Sequence, residues 1–338
     1  MPPTRYLPSD FGHSAAYPLY ACDPVQDRGW ALHFDHEDYR RTSFLDGRAL
    51  QRQDIGGWMF DRRELALAFV DPAPAISVHW LFHIGHCGST LVSRLLDLLP
   101  GTLGIREPLP LLQLAHAQGM ANAEDWLTLA ARALARGFDD TRAVIVKPTS
   151  LVTVLADGLL ARSDGQAVLL WLDLATWLAT MLRYAGLCRS VLETEALRLH
   201  EQAPLPETNS EGERLARIWL AEQARWRRLR QGGRHNRRLF DLDFATVLAD
   251  PAAATANLAD RFGLDVPADW ARRIELSGLL SHYAKIPGQR YDAELRRREL
   301  DDAAASHAGE IDRGIAWAER AVVRLDLEDL RMRLRPAK

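Results

Sequence analysis

The segment Ile76-Ser-Val-His-Trp-Leu-Phe-His-Ile84 is followed directly by Gly85-His-Cys-Gly-Ser-Thr90 and then by Leu91-Val-Ser-Arg-Leu-Leu96. The first run is apolar and β-prone, which predicts a buried strand. The glycines predict a tight loop, and the last run predicts a helix. Main-chain N–H groups and the positive end of a helix face such a loop, so this order of elements favours an oxyanion. We therefore predict a phosphate- or sulfate-binding loop formed by Gly85, His86, Cys87, Gly88, Ser89 and Thr90.

The bulk composition narrows the classes of function. The chain has 338 residues, 47% of them hydrophobic, and a formal net charge of −3, so we expect neither a nucleic acid nor a membrane as a partner. No run approaches the roughly 18 apolar residues of a membrane span, and the N-terminus lacks the pattern of a signal peptide. The three cysteines are too scattered for a disulfide framework or a zinc cluster. We expect a cytoplasmic protein that holds no metal.

Alternating patterns from residue 76 onward predict the fold class. Strand-like apolar runs are separated by helical patterns, which is typical of an α/β fold with a central parallel sheet flanked by helices. We expect residues 76–338 to form this fold, with a helical C-terminal part. We expect residues 1–75 to form an irregular segment packed on it, with short strands near 30–34 and 58–60. The predicted strands are 76–84, 103–105, 143–147, 167–172 and 238–242, and the predicted helices lie near 89–99, 123–136, 150–161, 174–186, 211–230 and 309–334.

The loop departs from the Walker A pattern G-x-x-x-x-G-K-[ST]. When Gly88 and Thr90 are aligned with that pattern, Ser89 stands at the position of the lysine that contacts the β- and γ-phosphates. His83 stands at the position of the first glycine. Both departures argue against hydrolysis of ATP or GTP.

The run from Gly85 to Leu91 instead resembles the phosphosulfate-binding loop of the sulfotransferases. In that family a glycine or proline, a basic residue and a small residue precede Gly-[ST]-[ST]-Leu, and His86 stands here at the position of the family's lysine or arginine. The resemblance covers about residues 76–290. It implies a three-layer fold of the P-loop type and transfer from 3′-phosphoadenosine-5′-phosphosulfate without a metal. It also implies two partners, an adenine nucleotide and an acceptor, which is an unknown small molecule or peptide.

Two charged residues follow predicted strands and are therefore expected at the ligand-binding edge of the sheet. The resemblance implies that Lys147 matches the lysine of a Lys-x-His-x-Pro run, which contacts the sulfuryl group. Thr149 replaces the histidine base of that run, so the role of the base moves to Glu107 or to His86. The alternatives without a catalytic role are that Glu107 lies in an exposed turn and that Lys147 is a surface residue before a helix.

The residues that bind the nucleotide's 3′-phosphate in the sulfotransferases are less well matched in this chain. The family binds it with the arginine and serine of an Arg-[ND]-Pro-x-[DE]-x-x-x-Ser run, where this chain has Leu172 and Thr180. Arg183 is one candidate for the missing charge, and Arg189 is another. Further candidates to close over the nucleotide, by the same resemblance, are Lys285 and Arg290.

Two alternative functions stay open. Residues typical of the sulfotransferases are replaced at Leu172, Thr149 and His86. These replacements favour a degenerate relative that binds a nucleotide or a phosphorylated partner without catalysis. The run from His86-Cys87 to Arg94 approaches the tyrosine-phosphatase signature H-C-x5-R, but its spacing is one residue too long.

Overall fold

The computed structural model of the chain describes residues 7–46, 56–70, 76–199, 204–282 and 292–336. Its N-terminal part forms an antiparallel sheet of three strands, where irregular structure with short strands was expected. The strands are β1 (Leu19–Asp23), β2 (Arg28–Leu32) and β3 (Gly57–Asp61), and helices α1 (His36–Arg41) and α2 (Arg62–Ala68) follow β2 and β3. These strands carry a weak signal in the sequence because they lack the continuous apolar runs of the central strands. The division of the chain at residue 75 stays a prediction.

The central sheet has five strands, and all neighbouring pairs are parallel. The strands are β4 (Ser77–His83), β5 (Thr102–Arg106), β6 (Ala143–Lys147), β7 (Ala167–Trp171) and β8 (Leu239–Asp243). Their spatial order is β5-β6-β4-β7-β8. Most of their side chains are buried, as expected for a parallel sheet covered by helices. The predicted α/β fold is confirmed, and all five predicted strands are present.

Helices flank this sheet. They are α3 (Ser89–Leu96), α4 (Leu109–His116), α5 (Ala123–Leu134), α6 (Ala156–Ala161), α7 (Leu174–Leu182), α8 (Ala185–Leu192), α9 (Glu195–Leu199), α10 (Glu211–Gln231), α11 (Phe244–Ala249), α12 (Pro251–Arg261), α13 (Trp270–Ser277), α14 (Ala293–Ser306) and α15 (Ala308–Arg324). The helix predicted over 150–161 begins as a 3₁₀ turn, Ser150–Leu155, before α6. The helix predicted over 174–186 ends at Leu182, because Tyr184 is extended and α8 begins after it. No helix among the described residues is both long enough and apolar enough to cross a membrane.

The strand order places a ligand-binding crevice at the carboxyl end of β4. From β4 the chain moves to β5 and β6 on one side, and then to β7 and β8 on the other side. Connections that leave the sheet in opposite directions open a crevice at such a switch point. The loop 84–88 leaves β4 at this crevice and leads into α3, which is the strand–loop–helix order of a P-loop.

Two buried arginines join the N-terminal part to the central sheet. Arg106, the last residue of β5, donates to the carbonyl groups of Thr42, at 3.0 Å, and of Tyr39. Arg136, which follows α5, donates to the Tyr17 carbonyl at 2.7 Å. These guanidinium groups satisfy main-chain oxygens at the end of α1 and in the loop before β1.

His79 in β4 gives the fold a dependence on pH. Its ring is buried, stacks on Phe262 with 4.4 Å between centroids, and accepts a hydrogen bond at Nδ1 from the Gln166 amide at 3.1 Å. Burial lowers the pKa of His79 to about 4, although the Asp164 carboxylate opposes the effect. The native state therefore holds the ring neutral at a pH where the unfolded chain binds a proton.

We expect the stability contributed by neutral His79 to be complete above about pH 6.5 and to disappear as the pH falls toward 4, with a total of about 3 kcal/mol. The measurement is urea denaturation between pH 7.5 and pH 4. The control is His79→Asn, whose amide oxygen replaces Nδ1 as an acceptor but does not titrate in this range. The free energy of unfolding should fall more steeply with decreasing pH in the wild type than in the variant, and equal slopes would contradict the prediction.

Candidate active site

A cavity of about 630 Å³ lies at the carboxyl ends of the central strands. Loop residues after β4, Glu107 after β5, and Thr149 and Ser150 after β6 all line it. The crevice expected from the strand order therefore collects the polar groups that follow three neighbouring strands. Among the described residues, no cluster of three or more His, Cys, Asp or Glu side chains could hold a metal.

The backbone of the loop after β4 turns through left-handed conformations. His86 has φ +51° and Gly88, the residue before α3, has φ +79°. A Cβ atom on Gly88 would lie 2.0 Å from the ring of Phe244. Glycine is therefore required here both by the backbone angle and by the close approach of the ring.

The peptide group of Gly85 is already used by the protein. Its N–H donates to Nδ1 of His83 at 3.1 Å, and its carbonyl accepts from Trp177 Nε1 at 2.9 Å. His83 Nε2 in turn lies 2.9 Å from the Pro148 carbonyl, so its two partners assign the proton to Nε2. We predicted that amides from Gly85 onward would bind the anion, and this first amide is committed to holding the loop in shape.

The start of α3 offers donors that the protein leaves unused. Within the described part of the chain, the amides of Gly88 and Thr90 donate to no protein acceptor. The Thr90 hydroxyl is also buried without a hydrogen-bond partner, and Thr90 and Ser89 both line the cavity. An unsatisfied buried hydroxyl costs about 1–3 kcal/mol, which makes Thr90 a candidate donor to a ligand in the cavity.

The side chain of Cys87 points into the core. It is fully buried, and Sγ donates to the Leu170 carbonyl at 3.4 Å. Burial raises the pKa of Cys87 to about 12, so no thiolate is available as a nucleophile. Arg94 donates to Ser43 Oγ at 2.7 Å. The phosphatase interpretation is therefore wrong, and of Cys87 only the backbone belongs to the anion loop.

Glu107 and Lys147 form a direct ion pair. Arg106 and Lys147 are paired in the register of β5 and β6, and the next amide, Glu107 N–H, donates to the Lys147 carbonyl at 2.6 Å. With φ +51° at Glu107, its carboxylate turns back so that Oε1 lies 2.5 Å from Lys147 Nζ. The Lys147 side chain is 0% exposed and that of Glu107 is 13% exposed. Burial lowers the pKa of Lys147, and the charge of Glu107 opposes this shift. Glu107 lines the cavity and Lys147 lies behind it.

The residues predicted around the 3′-phosphate have structural partners. Leu172 is buried, and its carbonyl accepts from Trp219 Nε1 at 3.0 Å. Thr180 and Arg183 line the cavity, but the Thr180 hydroxyl donates to the Thr176 carbonyl at 2.8 Å, and Arg183 is paired with Glu299. The predicted nucleotide contacts Lys285 and Arg290 lie outside the described residues.

Sequence reasoning missed several residues that build this site. His83 and Trp177 hold the Gly85 peptide, and Phe244 covers the α-carbon of Gly88. Ser150 lines the cavity, although it was not among the predicted site residues. The position of His83 at the end of a strand was a usable signal, whereas nothing in the sequence pointed to Phe244.

No family model matches the chain, and no curated protein matches it. Among solved structures, the chain is similar to a sulfotransferase from Mycobacterium tuberculosis, with a TM-score of 0.43 and 14% identity over 70% of this chain and 77% of that chain. It is similar to the sulfotransferase domain from the curacin biosynthetic pathway, with a TM-score of 0.42 and 10% identity over 70% and 98% of the two chains. It is also similar to a mouse sulfotransferase complexed with PAP, with a TM-score of 0.42 and 12% identity over 76% and 88%. All three of these proteins are sulfotransferases.

Proposed function

We propose that the protein is a sulfotransferase that moves a sulfuryl group from 3′-phosphoadenosine-5′-phosphosulfate to a hydroxyl or amine of an acceptor. One observation carries the proposal. The unpartnered Thr90 hydroxyl at the anion loop and the Glu107 carboxylate line the same cavity. The hydroxyl can donate a hydrogen bond to a tetrahedral anion, and the carboxylate can remove a proton from the acceptor. Sulfuryl transfer needs both functions.

The reaction is an in-line displacement at sulfur. The acceptor oxygen or nitrogen forms a bond to sulfur while Glu107 takes its proton, and the bond from sulfur to the phosphate oxygen breaks, with its electron pair leaving on the phosphate. The backbone from Gly88 to Thr90, together with His86, binds the 5′-phosphosulfate and the charge that develops on it. Thr180 and Arg183 contact the nucleotide. Lys147 acts through Glu107, because its ammonium group is fully buried and paired with that carboxylate.

A protein that binds the nucleotide without transferring the sulfuryl group is the second candidate. Two observations favour it. Leu172 occupies the position of the family's 3′-phosphate arginine, and Arg183, the nearest replacement, is paired with Glu299. Under this alternative, binding would be measurable while transfer to every acceptor in a broad panel of phenols, alcohols and amines would be absent.

The test is a thermal-shift titration with 3′,5′-adenosine bisphosphate, 5′-AMP, ATP and inorganic sulfate, followed by turnover assays on that acceptor panel. A ligand that binds the native state raises the melting temperature through mass action, and we expect the bisphosphate to raise it most. Absence of any shift with the bisphosphate or with sulfate would contradict both candidates.

Thr90→Val is the matched variant for this titration. Valine keeps the shape of threonine but removes the unpartnered hydroxyl, so the unliganded protein should be as stable as the wild type or more stable. Affinity for the bisphosphate and for sulfate should fall by roughly 10- to 100-fold, because a hydrogen bond to a charged ligand is lost. Unchanged affinity would remove Thr90 from the site.

A further inference from the structure

A buried network of charged side chains lies behind one wall of the cavity. Arg198 and Glu222 are both nearly inaccessible to solvent. Arg198 Nη1 donates to Glu222 Oε1 at 3.1 Å, and Arg225 Nη1 donates to Glu222 Oε2 at 3.0 Å. The Thr153 hydroxyl lies 2.6 Å from the same Oε2 atom. Two guanidinium groups share one carboxylate, so the network carries a surplus positive charge.

The network reaches the cavity at Ser150. Arg198 Nη2 donates to Ser150 Oγ at 2.9 Å, and Ser150 lines the cavity. A Cβ atom on Gly85 would lie 3.1 Å from Ser150 Oγ, which places the hydroxyl against the anion loop. In the described part of the chain, Ser150 Oγ donates to no protein acceptor.

This arrangement fixes the direction of the Ser150 hydroxyl. A guanidinium group can only donate hydrogen bonds, so Ser150 Oγ must accept from Arg198, and its own proton remains available for another acceptor. A hydrogen bond from a cation also polarises the O–H group and strengthens its donation. Ser150 lies beside the cavity and the anion loop, so an anion bound there can accept this proton.

We propose that Arg198 is a positioning residue that holds the Ser150 hydroxyl as a hydrogen-bond donor to the tetrahedral oxyanion group of the ligand, whether phosphate or sulfate. The inference rests on the proposed function, because it adds a donor on the β6 side of the same anion site. It predicts that hydrogen-bond donors from two separate elements bind the anion. Thr90 donates from the start of α3, and Ser150 donates from the turn after β6.

The test is a double-mutant cycle in which calorimetry measures the affinity for 3′,5′-adenosine bisphosphate and for inorganic sulfate. Ser150→Ala and Arg198→Met should each weaken binding by about 10-fold, since each removes or misdirects one hydrogen bond to an anion. The double variant should bind within about twofold of the weaker single variant, because Arg198 acts through Ser150. The matched control is Ser163→Ala, which removes a hydroxyl bonded to Trp80 Nε1 outside the cavity, and its affinity should equal that of the wild type.

Each outcome decides the proposal. If the losses multiply in the double variant, Arg198 does not act through Ser150 and the inference fails while the sulfotransferase proposal stands. If the wild-type protein binds neither anion, both proposals fail. If Arg198→Met does not fold, the decision passes to Ser150→Ala, and unchanged affinity in that variant overturns the inference.

Discussion

Replacement of Glu107 by glutamine should lower turnover by about 10²- to 10⁴-fold and leave the affinity for 3′,5′-adenosine bisphosphate nearly unchanged. Glutamine has the shape of glutamate, and its amide oxygen can still accept from Lys147 Nζ, which lies 2.5 Å from Oε1 in the wild type. It cannot take a proton from the acceptor. Binding should therefore survive while transfer is lost, and the two are measured by calorimetry and by assays of sulfuryl transfer over the acceptor panel.

A second glutamate provides the matched control for this variant. Glu124 is exposed on α5, where it pairs with Arg162 at 2.7 Å, and it does not line the cavity. Glu124→Gln makes the same chemical change and should leave turnover unaffected. A loss of less than about tenfold for Glu107→Gln would assign the proton transfer to another group, and His86, which also lines the cavity, would be the next to test.

The central sheet could be predicted from the sequence because each of its strands is a separate run with its own signal. The strand 143–147 is observed where it was predicted, and the other predicted strands differ from the observed ones by only a residue or so at their ends. Helix α4 was not predicted, and its prolines at 108 and 110 fit its start because proline is tolerated in the first turn of a helix. Short strands near 30–34 and 58–60 were predicted, but their pairing into a sheet was not, because it joins positions distant in sequence, as with Trp30 and Met59.

The candidate site could be predicted only in part, because side-chain direction depends on tertiary contacts. The rule that ligands bind at the carboxyl ends of parallel strands led to Glu107 and Lys147. Their direct pairing depends on the register of β5 against β6 and on the left-handed backbone of Glu107. For Cys87, the loop pattern gave no indication that the thiol would be buried against the Leu170 carbonyl.

Contacts between distant parts of the chain had no signal in the sequence. Arg198 and Ser150 are 48 residues apart, and they meet only because α9 and the turn after β6 pack on the same side of the cavity. Phe244 lies still farther from Gly88, yet its ring sets the space above that glycine. Such contacts follow from the packing of helices on the sheet, which no local pattern encodes.

Replacement of Lys147 by methionine should destabilise the protein by about 3–5 kcal/mol near neutral pH, because it breaks the mostly buried ion pair between Lys147 and the Glu107 carboxylate. Methionine fills a volume close to that of lysine, so the loss of charge dominates over the loss of packing. The measurement is the free energy of unfolding in urea.

The double variant Glu107→Gln with Lys147→Met separates the broken ion pair from a general defect of packing. With both charges of the ion pair removed, most of the stability lost in Lys147→Met should return. Turnover should stay low in the double variant, since the base is still missing. If Lys147→Met alone changed the unfolding free energy by less than about 1 kcal/mol, the carboxylate would be well solvated from the cavity. In that case Lys147 would not be needed to hold the Glu107 carboxylate in place for catalysis.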